Sequence, residues 1–175
     1  MKRILLSLFA LTLALLPLGG ALAARDIVEP GVDFYYLDTA DVLSAETEGL
    51  IYFNNKLLYE ACGAQIVIAA LDSIGGADIY EYAVEMGNSW GIGSEEEENG
   101  FLLLMTIEED NYYALTGAGL RRIFPASTLK ELYDDYLEAD FAAGDYDAGA
   151  RKFFTAVYDK VADYYNLDLD VERCV

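Results

Sequence analysis

Two short runs leave this chain few folds to choose from. Gln65 to Leu71 and Phe101 to Ile107 are almost wholly apolar. They are strand-sized and lack the alternation expected of a strand with one wet face, so they read as strands buried on both sides. Between them Ile79, Ala83, Met86 and Trp90 recur at helical spacing across about 77–89. A strand, a crossover helix and a second strand predict parallel pairing. The sequence after Ile107 adds a hairpin: Glu108 to Asp110 is turn-sized, and Asn111 to Thr116 returns as the partner before Gly117 and Gly119.

The flanking segments complete the pattern. Phe34 to Leu37 reads as a short strand. Ser44 is a good N-cap, and behind it Leu50, Phe53, Leu57, Leu58 and Ala61 recur on one helical face until Gly63 supplies the stop. Ser127 is the expected cap of a helix reaching about Ala142. Asp145 caps the last helix, which presents Ala150, Phe153, Phe154, Val157, Val161 and Tyr164. The predicted fold is therefore α/β, a single-layer mixed sheet of about four strands with helices packed on both faces.

The first residues follow a different logic. Lys2 and Arg3 precede an apolar stretch from Ile4 to Leu18, and Ala21-Leu22-Ala23 offers small residues at a cleavage site. The expectation is a secretory leader over 1–23, with Ala24 as the mature N-terminus and secretion or residence in the cell envelope as the outcome. Pro17, Gly19 and Gly20 keep the apolar run short of the ~20 residues a membrane span requires. No later segment is long enough either, so no transmembrane helix is expected in the mature chain. Residues 24–33 read as a linker, 34–165 as the domain and 166–175 as an acidic tail.

Charge and residue absences narrow the chemistry. The net charge is −20; without Lys2 and Arg3, nine basic residues face 31 acidic ones, a net −22. Such a surface repels nucleic acid, so no nucleic-acid partner is expected, and it attracts divalent cations or basic partners. The 54% of hydrophobic residues argues for a packed core despite that charge. There is no histidine, which excludes Ser-His-Asp and Cys-His catalysis and His-ligated zinc. No Cys-x5-Arg or Asp-x-Asp-x-Thr signature is present. Cys62 and Cys174 either pair in an oxidising compartment or stay free, a choice that rests on a separation sequence does not give.

Six motifs occur in order. They are Leu37-Asp38-Thr39-Ala40-Asp41-Val42-Leu43-Ser44, Gly63-Ala64-Gln65-Ile66-Val67, Ser89-Trp90-Gly91-Ile92-Gly93, Asn99-Gly100-Phe101-Leu102-Leu103-Leu104, Gly117-x-Gly119-Leu120 and Phe141-x-x-Gly144-Asp145-Tyr146-x-x-Gly149. Together they resemble the TPM domain family over about 34–165. The resemblance implies a sheet flanked by helices and an exported protein. Its members are variously acid phosphatases, calcium-binding modules and accessory subunits of membrane complexes. Departures from the family pattern are Glu98 where Asp-Asn-Gly usually begins, Arg121 where an acidic residue usually follows Gly-Leu, Ala126 and Ser127 after Pro125, and Asp41 at a usual glycine.

From these observations one site is expected, with Asp38, Glu98 and Asn99 converging on a Ca²⁺ ion and carbonyls and water completing its 6–8 oxygens. The competing reading has Asp38 and Asn99 only bonding loop backbone. Arg121 and Arg122 either hold a phosphate or bridge to local carboxylates. Asp168, Asp170 and Glu172 lack EF-hand spacing and read as a solvated tail. The expected function is an exported binding or accessory module, calcium-binding and serving a membrane-protein partner; the alternative is a metal-assisted acid phosphatase.

Overall fold

A computed structural model describes residues 27–30, 35–169 and 171. The expected leader over 1–23, and Asp170, Glu172 and Cys174, lie outside the described residues. The order is β1 (Tyr36–Asp38), α1 (Ala45–Cys62), β2 (Gln65–Leu71), α2 (Ile79–Trp90), β3 (Gly100–Thr106), β4 (Asn111–Thr116), a 3₁₀ turn (Ala118–Leu120), α3 (Ala126–Leu132), a π turn (Tyr133–Leu137), α4 (Glu138–Ala142) and α5 (Tyr146–Tyr165). The sheet runs β1-β2-β3-β4. β1, β2 and β3 are parallel, and β4 returns antiparallel beside β3. The mixed α/β sheet expected from the apolar runs is the one observed.

Every residue of β2 and β3 is buried, as strands covered on both faces require. Ile66, Ile68, Ala70, Phe101, Leu103 and Met105 face α1 and α5, while Val67, Ala69, Leu71, Leu102 and Leu104 face α2. Each fully buried Leu, Ile or Phe among them contributes ~1.5–3 kcal/mol of transfer free energy. Part of the expected linker belongs to this second face. Ile27 and Val28 pack on it, and the Trp90 indole donates to the Val28 carbonyl at 2.8 Å.

The caps explain where most helices begin and end. The Ser44 hydroxyl accepts from the Thr47 amide, and Gly63 closes α1 at φ 74°. Asp78 caps α2, and Asp145 caps α5. The expectation for Ser127 fails. Pro125 occupies the cap position of α3, no side chain bonds there, and Ser127 lies inside the first turn. The continuous helix expected to Ala142 is widened at Tyr133–Leu137. Such an insertion shifts side chains around the axis. Here Tyr133 stacks on Phe153 (5.7 Å between ring centroids, 16° between planes) and accepts the Ala114 amide at 2.6 Å.

Candidate functional site

The register sets the geometry of the expected site. Asp38 pairs with Ala70, at the C-terminal end of the parallel strands. Asn99 precedes Gly100, which pairs with Gln65 at the N-terminal end. Ala70 in turn faces Met105, so Asp38 and Asn99 stand about six residues apart along the strands. At ~3.3 Å per residue that is roughly 20 Å. Asp38, Glu98 and Asn99 therefore do not share one shell. Among the described residues no group of three or more His, Cys, Asp or Glu is gathered as a metal centre.

Asn99 is fully buried and fully used. Its Oδ1 accepts the Ser94 amide at 3.0 Å, and its Nδ2 donates to the Cys62 carbonyl and the Tyr165 hydroxyl, both at 3.0 Å. It ties the loop before β3 to the ends of α1 and α5. Glu98 is exposed beside it, in a left-handed conformation at φ 48°.

The glycines of that loop are there for contact. A Cβ on Gly117 would lie 2.0 Å from the Glu98 carbonyl oxygen, and one on Gly119 would lie 2.1 Å from that of Glu97. One on Gly93 would meet the Gly100 nitrogen at 2.3 Å. The amides are spent as well. Gly93 donates to Gln65 Oε1, Gly117 to the Gly100 carbonyl and Gly119 to the Glu98 carbonyl. This is a backbone clasp, and its amides are not aimed outward as a phosphate cradle requires. Beside it a groove of about 750 Å³ runs between α2 and β4, with Glu95, Glu98 and Arg121 on its walls.

The C-terminal edge of the parallel strands is where α/β sheets place ligands. Asp38 Oδ2 accepts the amides of Val42 (2.9 Å) and Leu43 (2.6 Å), which fixes the turn into α1. Its Oδ1 is buried with no partner among the described residues. Glu109 lies on the β3–β4 turn, where no motif in the sequence marks it. Its Oε1 gathers the Ser73 hydroxyl (2.6 Å) and the amides of Ile74 (3.0 Å) and Gly76 (3.2 Å). Its Oε2 is also buried and unpartnered among the described residues. Burial works to raise its pKa, but the bonds from Ser73, Gly76 and Ile74 outweigh it and hold the carboxyl below its usual range. The same edge carries Asp72, whose amide donates to Thr39 Oγ1 and whose carbonyl accepts from Glu108.

The remaining candidates have structural roles. Burial pushes the Cys62 thiol up, and its Sγ donates to the Leu58 carbonyl, so it is no activated nucleophile. Arg122 lies over the Tyr164 ring at 5.2 Å. No ion pair of Arg121 or Arg122 occurs among the described residues, so the expected local salt bridges are not formed. Asp147, in the first turn of α5, accepts the Ser44 amide at 2.7 Å and pairs with Arg151 at 2.7 Å.

Residues 36–160 match the TPM domain family, and the chain belongs to that family. The fold is shared with solution structures of the N-terminal domain of a P. gingivalis protein (22% identity, TM-score 0.69, 79% of this chain and 88% of that one) and of the BA42 protein from the psychrophilic bacterium Bizionia argentinensis (15%, 0.60, 73% and 86%). The N-terminal domain of the cg2496 protein from Corynebacterium glutamicum is similar too (14%, 0.56, 77% and 86%). Comparison with curated proteins gives no match. Among the described residues no helix is long and apolar enough to cross a membrane.

Proposed function

We propose that this chain is an exported TPM-domain binding module, accessory to a membrane or cell-envelope complex, and that Asp38 takes a Ca²⁺ ion at the C-terminal edge of the parallel strands. The observation that carries this reading is the buried Oδ1 of Asp38, which has no partner among the described residues. A carboxylate oxygen in that position loses its water on folding and gains nothing in return, a cost a cation offsets. Hard oxygen ligands suit Ca²⁺. The unpartnered Oε2 of Glu109 adds a second such donor along the same edge.

Because no three acidic side chains converge there among the described residues, backbone carbonyls and water complete the coordination. The affinity is then that of a weak extracellular module, with Kd of ~10⁻⁴–10⁻³ M. Export rests on the leader-like first 23 residues, and the accessory role on the exposed acidic surface of a net −20 chain.

Calorimetric titration of the chain with calcium tests the reading. Saturable binding that Asp38→Asn weakens at least tenfold supports it; unchanged affinity in that variant sinks it. Phosphatase chemistry would need a cation at the same edge to offset the charge of the ester. Hydrolysis of a generic phosphate ester, abolished by Asp38→Asn, would therefore move the assignment to an enzyme.

A further inference from the structure

The groove between α2 and β4 lies at the N-terminal end of β3, away from Asp38, and the cation reading makes no use of it. We propose that it receives a short extended segment of a partner protein in which lysine or arginine alternates with apolar residues. This rests on the accessory reading and gives it a partner chemistry. Volume comes first. About 750 Å³ falls within the ~300–1,000 Å³ of sites that bury a ligand, and Val84, Ile92 and Leu115 supply apolar walls.

Charge complementarity selects the occupant. Glu95 and Glu98 line the groove, and Glu96 and Glu97 stand exposed beside them. Arg121 is on the groove as well, so the cationic residues of the segment belong toward the glutamates. An anion has no such welcome, because the neighbouring glycine amides are already bonded within the clasp.

The strand edge adds a backbone contact. Gly117 bonds to Gly100, so the even-numbered residues of β4 point their amides away from β3. Two of those amides are closed: Tyr112 donates to Asn111 Oδ1 and Ala114 to the Tyr133 hydroxyl. Thr116, which borders the groove, has no amide acceptor among the described residues. An extended chain laid there gains a main-chain bond in the manner of strand addition, with side chains set alternately into the groove.

The test is fluorescence anisotropy of a labelled hexapeptide of alternating lysine and leucine, and of its glutamate–leucine counterpart, against the purified chain at 0.15 M salt without calcium. Saturable binding of the lysine peptide alone is expected. Glu95→Lys should weaken it at least tenfold. Glu131→Lys makes the same charge change on exposed α3 and should cost less than twofold. Val84→Tyr, which fills the groove from its apolar wall, should also weaken binding tenfold with an unchanged circular dichroism spectrum. Should it fail to fold, the exposed Glu95 variant still decides. Equal loss from the Glu95 and Glu131 variants, or equal binding of the acidic peptide, overturns the proposal. With no calcium present, its failure leaves the cation reading standing, and failure of calcium binding leaves this one standing.

Discussion

The amide of Ser44 donates to Oδ1 of Asp147 at 2.7 Å across 103 residues of sequence. The start of α1 and the start of α5 are thereby held together, and Arg151 closes the arrangement with bonds to Asp147, Glu46 and Thr47. Burial raises the pKa of Asp147, but the bonds from Ser44, Thr47 and Arg151 prevail and set it below its ordinary 3.8. Glu109 is likewise held below 4.5. A carboxyl whose folded pKa is depressed contributes stability that is present above its unfolded pKa and lost as pH falls through the folded one. The melting temperature is therefore expected to fall as pH drops from about 4.5 downward. Asp147→Asn should lower Tm at pH 7 and flatten that acid slope, which a thermal series from pH 2 to 7 will show.

Gly117→Ala should be the most damaging alanine substitution among the described glycines. At φ −63° the residue adopts an ordinary backbone conformation, so the cost is contact alone, with the new Cβ 2.0 Å from the Glu98 carbonyl oxygen. A loss of more than ~3 kcal/mol is expected. Gly76→Ala has the reverse problem, φ 71° with open space around it, and should cost ~1 kcal/mol. Urea midpoints of the two variants check the order.

Asn99→Ala leaves the Ser94 amide and the Cys62 carbonyl without their partner in a buried setting. Each orphaned group costs ~1–3 kcal/mol, so a loss of ~2–6 kcal/mol is expected. Calcium affinity should not change in the folded fraction, because Asn99 is at the other end of the strands. Denaturant melts and a calcium titration of the same variant separate these effects.

Burial pushes the Tyr133 hydroxyl up to about 12, although the Ala114 amide it accepts favours the phenolate. Its folded pKa exceeds the unfolded value near 10, so its stability contribution is whole below pH 10 and is lost as pH rises toward 12. Two pH units correspond to ~2.7 kcal/mol. Tyr133→Phe should be ~1–2 kcal/mol less stable at pH 7 for want of the Ala114 bond, yet lose less between pH 10 and 12. Urea melts at pH 7, 10 and 11.5 measure both.

Much of the fold was legible because local signals agreed with tertiary ones. Ser44 and Gly63 bracket α1 as their chemistry predicts. Ser127 misled because Pro125 already fixes the chain direction into α3, so no side-chain cap is used. The expected convergence of Asp38, Glu98 and Asn99 fails for a reason visible in the sequence. Asp38 ends one strand and Asn99 begins another, and if those strands run parallel the two loops lie at opposite ends of the sheet. Spacing motifs gives their order but not their end. Glu109 was unreadable among Glu108 and Asp110, since only the folded 73–76 loop distinguishes it.

Calcium titration followed by ¹⁵N–¹H spectra tests the placement of the cation most directly. Shifts are expected first at the amides of Val42 and Leu43, which Asp38 holds, and of Ile74 and Gly76, which Glu109 holds. Saturable shifts centred on Ser94 to Gly100 instead, with Val42 and Leu43 unmoved, would contradict the assignment of the site to Asp38.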